Sequence, residues 1–384
     1  MAGNRLSEED QQHVQDELMR LSTLLDQTVV QLKNEFKSRD EQQAKHAEEL
    51  ATANRNLTSM SDHIITLQQF RSYLVTDSAK EAFDLCVGGL RYWLANHIHP
   101  VLDDKDSAQK ALGIAKTNPI SGSIFSRVLQ DDRKLQFAAQ LEDLDVNIVE
   151  AGIYSWLARV IYGTGLGPVS PDAFRVLEQM EQTLKGDPLY AQETWKAKIY
   201  HAWINTPQYK ADREKYALKL ATDLATGMSM FLINPGDFDA WVSSLHKGIV
   251  GPNLALKEEI MGSIQDFQLE FITDPLIEDQ TVTKGKLNFQ SEMFHDITSD
   301  QKILQPGKLD STTPIRILSA YCPCFYTRLV VDGDVWTEPQ IISKQERLVA
   351  LKEDYEQFVS KRSAEAPGFW AQFVREIMDE SPSS

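Results

Sequence analysis

From Leu6 to Val87 the chain contains neither glycine nor proline, so nothing in its backbone chemistry forces a helix to stop there. Ser7 followed by Asp10 supplies a start signal. One apolar track at seven-residue spacing reads Leu18, Leu25, Leu32, Arg39, His46, Ala53, Met60, Leu67, and a companion track reads Val29, Phe36, Gln43, Leu50, Leu57, Ile64. Tracks offset by three and four residues are the a and d positions of a heptad, the pattern of a helix that packs on another helix. Val14 and Leu21 sit one residue off the companion track, so the register drifts at the start.

A helix from Ser7 to about Gln69 would be roughly 95 Å long at 1.5 Å per residue, more than the rest of the chain can cover. Part of it must find a partner or stay in water. Self-association, pairing with a different coiled-coil helix, an intramolecular hairpin broken near Arg39 to Gln43, and a solvated helix packed only at its C-terminal half all remain open. The polar groups Arg39, Gln43 and His46 at the seam's centre either fix register or mark a break. The absence of a turn residue there favours association. The expected interaction residues are Leu18, Leu25, Val29, Leu32, Phe36, Leu50, Leu57, Met60, Ile64 and Leu67.

Beyond this segment, expected to occupy residues 1–75, residues 76–384 read as a mostly helical globular domain. A capping box from Ser78 to Glu81 opens an apolar helix with Phe83, Leu85, Leu90, Trp93, Leu94 and Ile98, stopped at Pro100. Leu144 to Tyr162 reads as a core helix ending at Gly163, apolar on most faces. A cap residue followed by proline marks further helix starts at Ser170-Pro171, Asp187-Pro188, Thr206-Pro207 and Asn234-Pro235, because proline fits the first helical turn. Another helix is expected from about Asn253 to Phe271, and turns from Thr281 to Gln290.

Near the C-terminus, residues 315–342 are rich in β-branched and aromatic side chains. Asp332-Gly333-Asp334 between Tyr326 to Val331 and Val335 to Thr337 predicts a small antiparallel β-hairpin. A second capping box, Ser343 to Glu346, predicts a helix after it, Phe369 to Met378 predicts a last one, and 379–384 reads as a loose tail. The expected fold class is therefore mainly α: a coiled-coil-type helix, a large helical domain and one hairpin.

Composition bounds the chemistry. With 39 Lys plus Arg against 56 Asp plus Glu, the formal charge of -17 repels polyanions, so nucleic acid and anionic membrane are disfavoured as partners. No stretch approaches the ~20 apolar residues of a membrane span. No basic region precedes the apolar seam, as a zipper-type DNA reader would require. Three cysteines do not make a disulfide framework, and the N-terminus shows neither signal-peptide nor transit-peptide character, so a cytoplasmic or nuclear location is expected.

Candidate sites are weak. Cys322-Pro323-Cys324 lacks the two-residue gap of redox motifs and the second ligand pair of zinc sites, and reads as a proline kink in a strand. His97-Ile98-His99 offers two metal ligands without a third, and a helix C-terminus accounts for such histidines. Glu292-Met293-Phe294-His295 has the spacing of a di-iron helix motif but occurs once. Gly163 to Pro168 is glycine-rich but follows a helix with the wrong spacing for a phosphate loop. No catalytic set, metal site or cofactor site is expected. Trp156, Trp195, Trp203 and Trp241, with Tyr154, Tyr162, Tyr190 and Tyr200, read as core, though some could line a pocket between helices.

Through Phe70 to Leu102 after the long helix and the strand pair Ile315 to Ile342, the layout resembles uncharacterised coiled-coil-plus-helical-domain proteins of filamentous fungi. That resemblance brings no activity or site with it. The function expected is a non-enzymatic interaction or scaffold protein that associates through its N-terminal helix. An enzyme or small-ligand binder with a pocket in the helical domain is the alternative, and a regulatory subunit of a nuclear complex is a third.

Overall fold

The computed structural model describes residues 74–131, 144–163, 184–271, 281–297, 302–331, 335–351 and 368–378, with single positions between 17 and 52 and at 135, 139, 167, 175, 179 and 182. Two compact units result, Met1–Arg71 and Ser72–Ser384. In the first, every described position is helical, including Arg39, Gln42, Gln43 and 45–48. Leu25 is 67% exposed, and Leu21 and Leu24 are exposed beside it. The other predicted seam residues, Leu18, Val29, Leu32, Phe36, Leu50, Leu57, Met60, Ile64 and Leu67, lie outside the described residues, as do Ser170-Pro171 and the tail.

The second unit is mostly helical, with a C-terminal β region. Its first helix, α1 (Thr76–His97), buries Ala79, Phe83, Cys86, Leu90, Trp93 and Leu94, alternate steps of four and three that keep one stripe on the core. It begins earlier than its sequence suggests. Val75 is the N-cap and makes no side-chain cap bond, so Ser78 and Glu81 sit inside the helix and the expected capping box does not form. Gly89 is required on this helix, because a Cβ there would lie 2.9 Å from the Gly248 carbonyl oxygen.

The short α2 (His99–Asp103) and α3 (Lys105–Thr117) lead into α4 (Ser123–Asp131). The predicted core helix is α5 (Asp145–Leu157), which continues as a π turn over Ala158–Tyr162 and stops at Gly163. Nearly all of α5 is buried, which is why its apolar residues show no single face. Next come α6 (Leu189–Ile204) and α7 (Pro207–Gly227); the latter is capped by Thr206, whose hydroxyl accepts from Tyr209 N–H. Then follow α8 (Phe238–Leu245), with its own π turn at His246–Val250, and α9 (Gly251–Met261).

Three sequence expectations give way here. The helix expected over Asn253 to Phe271 ends at Met261, and Asp266–Glu270 forms strand β1. Gly262 and Ser263 interrupt the helical period, and Phe267 then packs inward in a strand. The segment at Ser343 to Glu346 starts no helix. It spans β9 (Gln340–Ser343) and β10 (Gln345–Leu351), whose backbone groups are claimed by neighbouring strands. A capping-box pattern has no force where two strands take up the segment and Leu348, Val349 and Ala350 are buried.

The β region is also larger than one hairpin. A five-stranded sheet runs in the order β2 (Thr281–Thr283), β5 (Pro314–Cys322), β10, β3 (Glu292–Asp296), β4 (Lys302–Ile303). Its β10–β3 pair is parallel and its other pairs are antiparallel. A three-stranded antiparallel sheet runs β1, β6 (Cys324–Arg328), β9. The predicted hairpin is present as β7 (Val330–Val331) and β8 (Val335–Trp336). The last helix, α10 (Phe369–Phe373), ends in a π turn at Val374–Met378.

Helices and both larger sheets share one apolar core. Phe83 of α1 stacks on Phe325 of β6 at 5.0 Å between ring centroids, and Phe267 of β1 lies against the same ring at 5.8 Å. Trp370 of α10 packs on Phe125 at 4.9 Å, and its indole N–H donates to the Asp145 carbonyl at 2.8 Å, so its one polar group is satisfied.

Candidate functional site

Two places in the folded body gather chemically active side chains. The first lies where α1 and α5 meet the five-stranded sheet. Arg91 of α1 donates from Nε to Glu150 Oε1 of α5 at 3.0 Å and from Nη2 to Glu346 Oε2 of β10 at 2.8 Å. The same Glu346 oxygen accepts the Tyr321 hydroxyl of β5 at 2.6 Å and lies 3.3 Å from His295 Nε2 of β3. The pairing register between β5 and β10 shifts at Glu346 and Arg347, and such irregularities re-aim side chains. Glu346 thereby joins the helices, while Arg347 next to it pairs with Glu292 on β3, Nε to Oε1 at 2.9 Å.

The two carboxyls that share Arg91 are driven apart. Burial raises Glu150 to about 7 despite the nearby guanidinium. Burial opposes ionisation of Glu346 as well, but hydrogen bonds from His295, Arg91 and Tyr321 together with the Arg91 charge hold it down at about 2. Beside them the Tyr154 hydroxyl faces the Cys322 thiol, and burial raises both groups well above their ordinary values. Chemically the cluster is a set of mutually satisfied charges that fastens helices to sheet.

The second place is a pocket of about 490 Å3. Its wall is the π turn and the glycine after it, with Ala158, Tyr162 and Gly163; one face of α6, with Glu193, Lys196 and Tyr200; the last turns of α9, with Lys257, Ile260 and Met261; and the segment 263–269 running into β1. β1 is an edge strand, which leaves one side of it open to this space. A π turn widens a helix by one residue and re-aims the residues after it, and such turns are frequent at functional sites. Here the widened end is clamped onto α9. The Tyr162 hydroxyl donates to Asn253 Oδ1 at 3.0 Å, and Lys257 Nζ donates to the Tyr162 carbonyl at 3.0 Å. Burial pulls the Lys257 amine down to about 8.

Of the sequence motifs, His295 and Cys322 fall in the first place and Gly163 in the second, while His97, His99, Glu292 and Cys324 lie outside both. Cys322 and Cys324 stand at the point where the chain passes from β5 into β6, that is, from one sheet to the other, with Pro323 between them. Both thiols are free and buried, and burial lifts Cys324 to about 11 and Cys86 to about 12, so none is a ready thiolate. His97 stacks on Trp93 at 4.8 Å with Nδ1 3.0 Å from the Trp93 carbonyl, and His99 is exposed. Glu292 and His295 lie on a strand, where a spacing of three puts them on opposite faces. Their partners differ accordingly: Arg347 for one, Glu346 for the other. Among the described residues, no group of three or more His, Cys, Asp or Glu side chains could hold a metal ion.

Of the aromatic residues noted in the sequence, Tyr162 and Tyr200 line the pocket. Tyr154, Trp156 and Trp241 are core, and Tyr190 is exposed. Lys257, Arg91 and Glu150 carry no local pattern that sequence reading could single out, and Glu346 carries only the capping-box pattern, which the sheet overrides. Gly163 is the exception: it ends the core helix, which is a signal that the chain turns there.

Among the described residues no helix is long and apolar enough to cross a membrane. No family model, curated protein or solved structure matches the chain.

Proposed function

We propose that the folded body is a small-ligand-binding module whose site is the pocket between the π turn, α6, α9 and β1. The observation that carries this reading is Lys257: an amine drawn down to about 8 lines a space of about 490 Å3, the size of a small-molecule site. Wall residues come from four separate elements. A thermal-shift screen of chemically mixed small molecules on the full chain tests it. A ligand present at a hundred times its Kd should stabilise the native state by about 2.7 kcal/mol. Ala158→Phe, which fills the pocket, should abolish that shift. If no compound stabilises the native chain, or Ala158→Phe leaves the response unchanged, the pocket is not the site.

A second reading concerns the N-terminal unit. Leu21, Leu24 and Leu25 are exposed on a helix, and the polar positions Arg39, Gln43 and His46 are helical rather than at a turn. Both observations favour association of this helix with a second copy over an intramolecular hairpin. A truncated chain beginning at Thr76 should keep its cooperative unfolding and scatter light as a monomer, while the full chain scatters as an oligomer. A full chain that is monomeric at micromolar concentration removes this reading.

A further inference from the structure

The charged residues that line the pocket are Glu193, Lys196, Lys257 and Asp266. Glu193 is answered by Lys196, Nζ to Oε1 at 3.0 Å, and Asp266 by Arg328, Nε to Oδ2 at 2.9 Å. Among the described residues Lys257 has no such answer: its one polar contact there is the Tyr162 carbonyl oxygen, and no carboxylate pairs with it. An ammonium taken out of water without a counter-charge is costly, and a carbonyl dipole replaces little of the lost hydration.

The surroundings restrict what could supply the missing charge. One ammonium in the lining has no ion-pair partner among the described residues, and a monoanion would supply one. A dianion would meet the negative ends of Glu193 and Asp266 in the same small space. Lysine presents a compact point charge, whereas a phosphate group is better gripped by an arginine fork, and Arg328 is already committed to Asp266. Ser263, buried in the same wall, accepts the Gln265 N–H at 3.1 Å and keeps its own hydroxyl proton to give. Ile260, Met261 and Leu269 add apolar surface to this wall, beside Gln265, Gln268, Tyr162 and Tyr200.

We infer that the pocket takes an amphipathic monocarboxylate, with its carboxylate on the Lys257 amine and its apolar body against α9 and β1. This rests on the pocket being a ligand site, as proposed above. The ammonium form that holds the carboxylate is the one stabilised by it, so binding raises the proton affinity of Lys257, and alkaline pH weakens the complex.

The test uses the full chain and three probes at pH 7: 3-phenylpropanoate and hexanoate, the carboxamides of the same skeletons, and inorganic phosphate. The acids should bind at least tenfold more tightly than their amides by calorimetry. Raising the pH to 10 should cut that preference at least tenfold. Lys257→Gln should lose the preference while binding the amides as before, and Lys257→Arg, which keeps the charge, should retain part of it. The inference is overturned if amide and acid bind equally, if Lys257→Gln still prefers the acid, or if phosphate binds more tightly than either acid. It is also overturned, with the pocket reading intact, if the acids fail while the mixed screen yields a neutral or cationic ligand that Ala158→Phe abolishes. A silent screen removes the pocket reading and this inference together.

Discussion

Arg91→Met should lower the unfolding free energy of the folded body by about 2–4 kcal/mol at pH 7.5, read from urea midpoints at unchanged slope. The substitution keeps the apolar stem and removes the guanidinium that bridges Glu150 and Glu346. The side chain is 40% exposed, which places the loss below that of a fully buried pair. Glu150 is almost wholly buried, and its folded-state value of about 7 lies above its ordinary 4.5. The native state therefore holds this proton more tightly than the unfolded chain. That contribution is complete below pH 4.5 and disappears as pH rises to 7, a change of up to roughly 3 kcal/mol. Glu346 behaves in the opposite way, since its value near 2 means its contribution is complete above 4.5 and lost as pH falls towards 2. Adding Glu150→Gln to Arg91→Met should thus recover more than about 1 kcal/mol at pH 7.5 and little at pH 4.5. A loss under about 1 kcal/mol for Arg91→Met would show that the cluster does not fasten the helices to the sheet.

That cluster illustrates what the sequence could and could not convey. Arg91 lies 59 residues from Glu150 and 255 from Glu346, and no local period connects them. The helices were legible wherever burial imposed a stripe, as in α1 with its steps of four and three, or where chemistry marked an end, as at Thr206-Pro207 and Gly163. Strand character was legible across residues 315–342, but strand pairing only at Val330 to Trp336, where a short turn brings two strands together. Pairing of β10 with β3 joins residues 53 positions apart, and the segment's own residues, Ser343 to Glu346, carry a helix-start pattern that this pairing overrides. The π turn at Ala158–Tyr162 has ordinary helical residues, so its position shows only in the hydrogen bonds. Lys257 is followed by Glu258 and Glu259 and reads as part of a solvated face. The fold gives Glu258 to Arg213 and Tyr209 instead, leaving the lysine at the pocket without a counter-charge among the described residues.

This arrangement makes an uncommon stability prediction: removing a charged, hydrogen-bonded side chain should strengthen the fold. Lys257→Met keeps an unbranched stem one atom shorter and deletes the ammonium. In the empty protein it should raise the unfolding free energy at pH 7 by about 1–2 kcal/mol. The gain is the relieved desolvation, up to roughly 3 kcal/mol for a displacement from 10.5 to about 8, less about 1 kcal/mol for the bond to the Tyr162 carbonyl. Proton counting gives the sign of the pH dependence. Between pH 8 and 10.5 the unfolded chain binds more protons at this lysine than the folded one, so this group makes the native protein more stable as pH rises through that window. The penalty is complete below 8 and gone above 10.5. Buried tyrosines such as Tyr162 and Tyr321, whose hydroxyls burial holds protonated, pull stability the other way at the alkaline end. The quantity to measure is therefore the difference between the native chain and Lys257→Met, which should shrink steadily from pH 8 to 10.5 in matched urea titrations. A variant that is less stable than the native chain at pH 7, or a difference that does not change with pH, would mean the amine is hydrated or already paired. A saturating carboxylate that closed the gap at pH 7 in favour of the native chain would show the same charge at work, as a cost when the pocket is empty and as the anchor when it is filled.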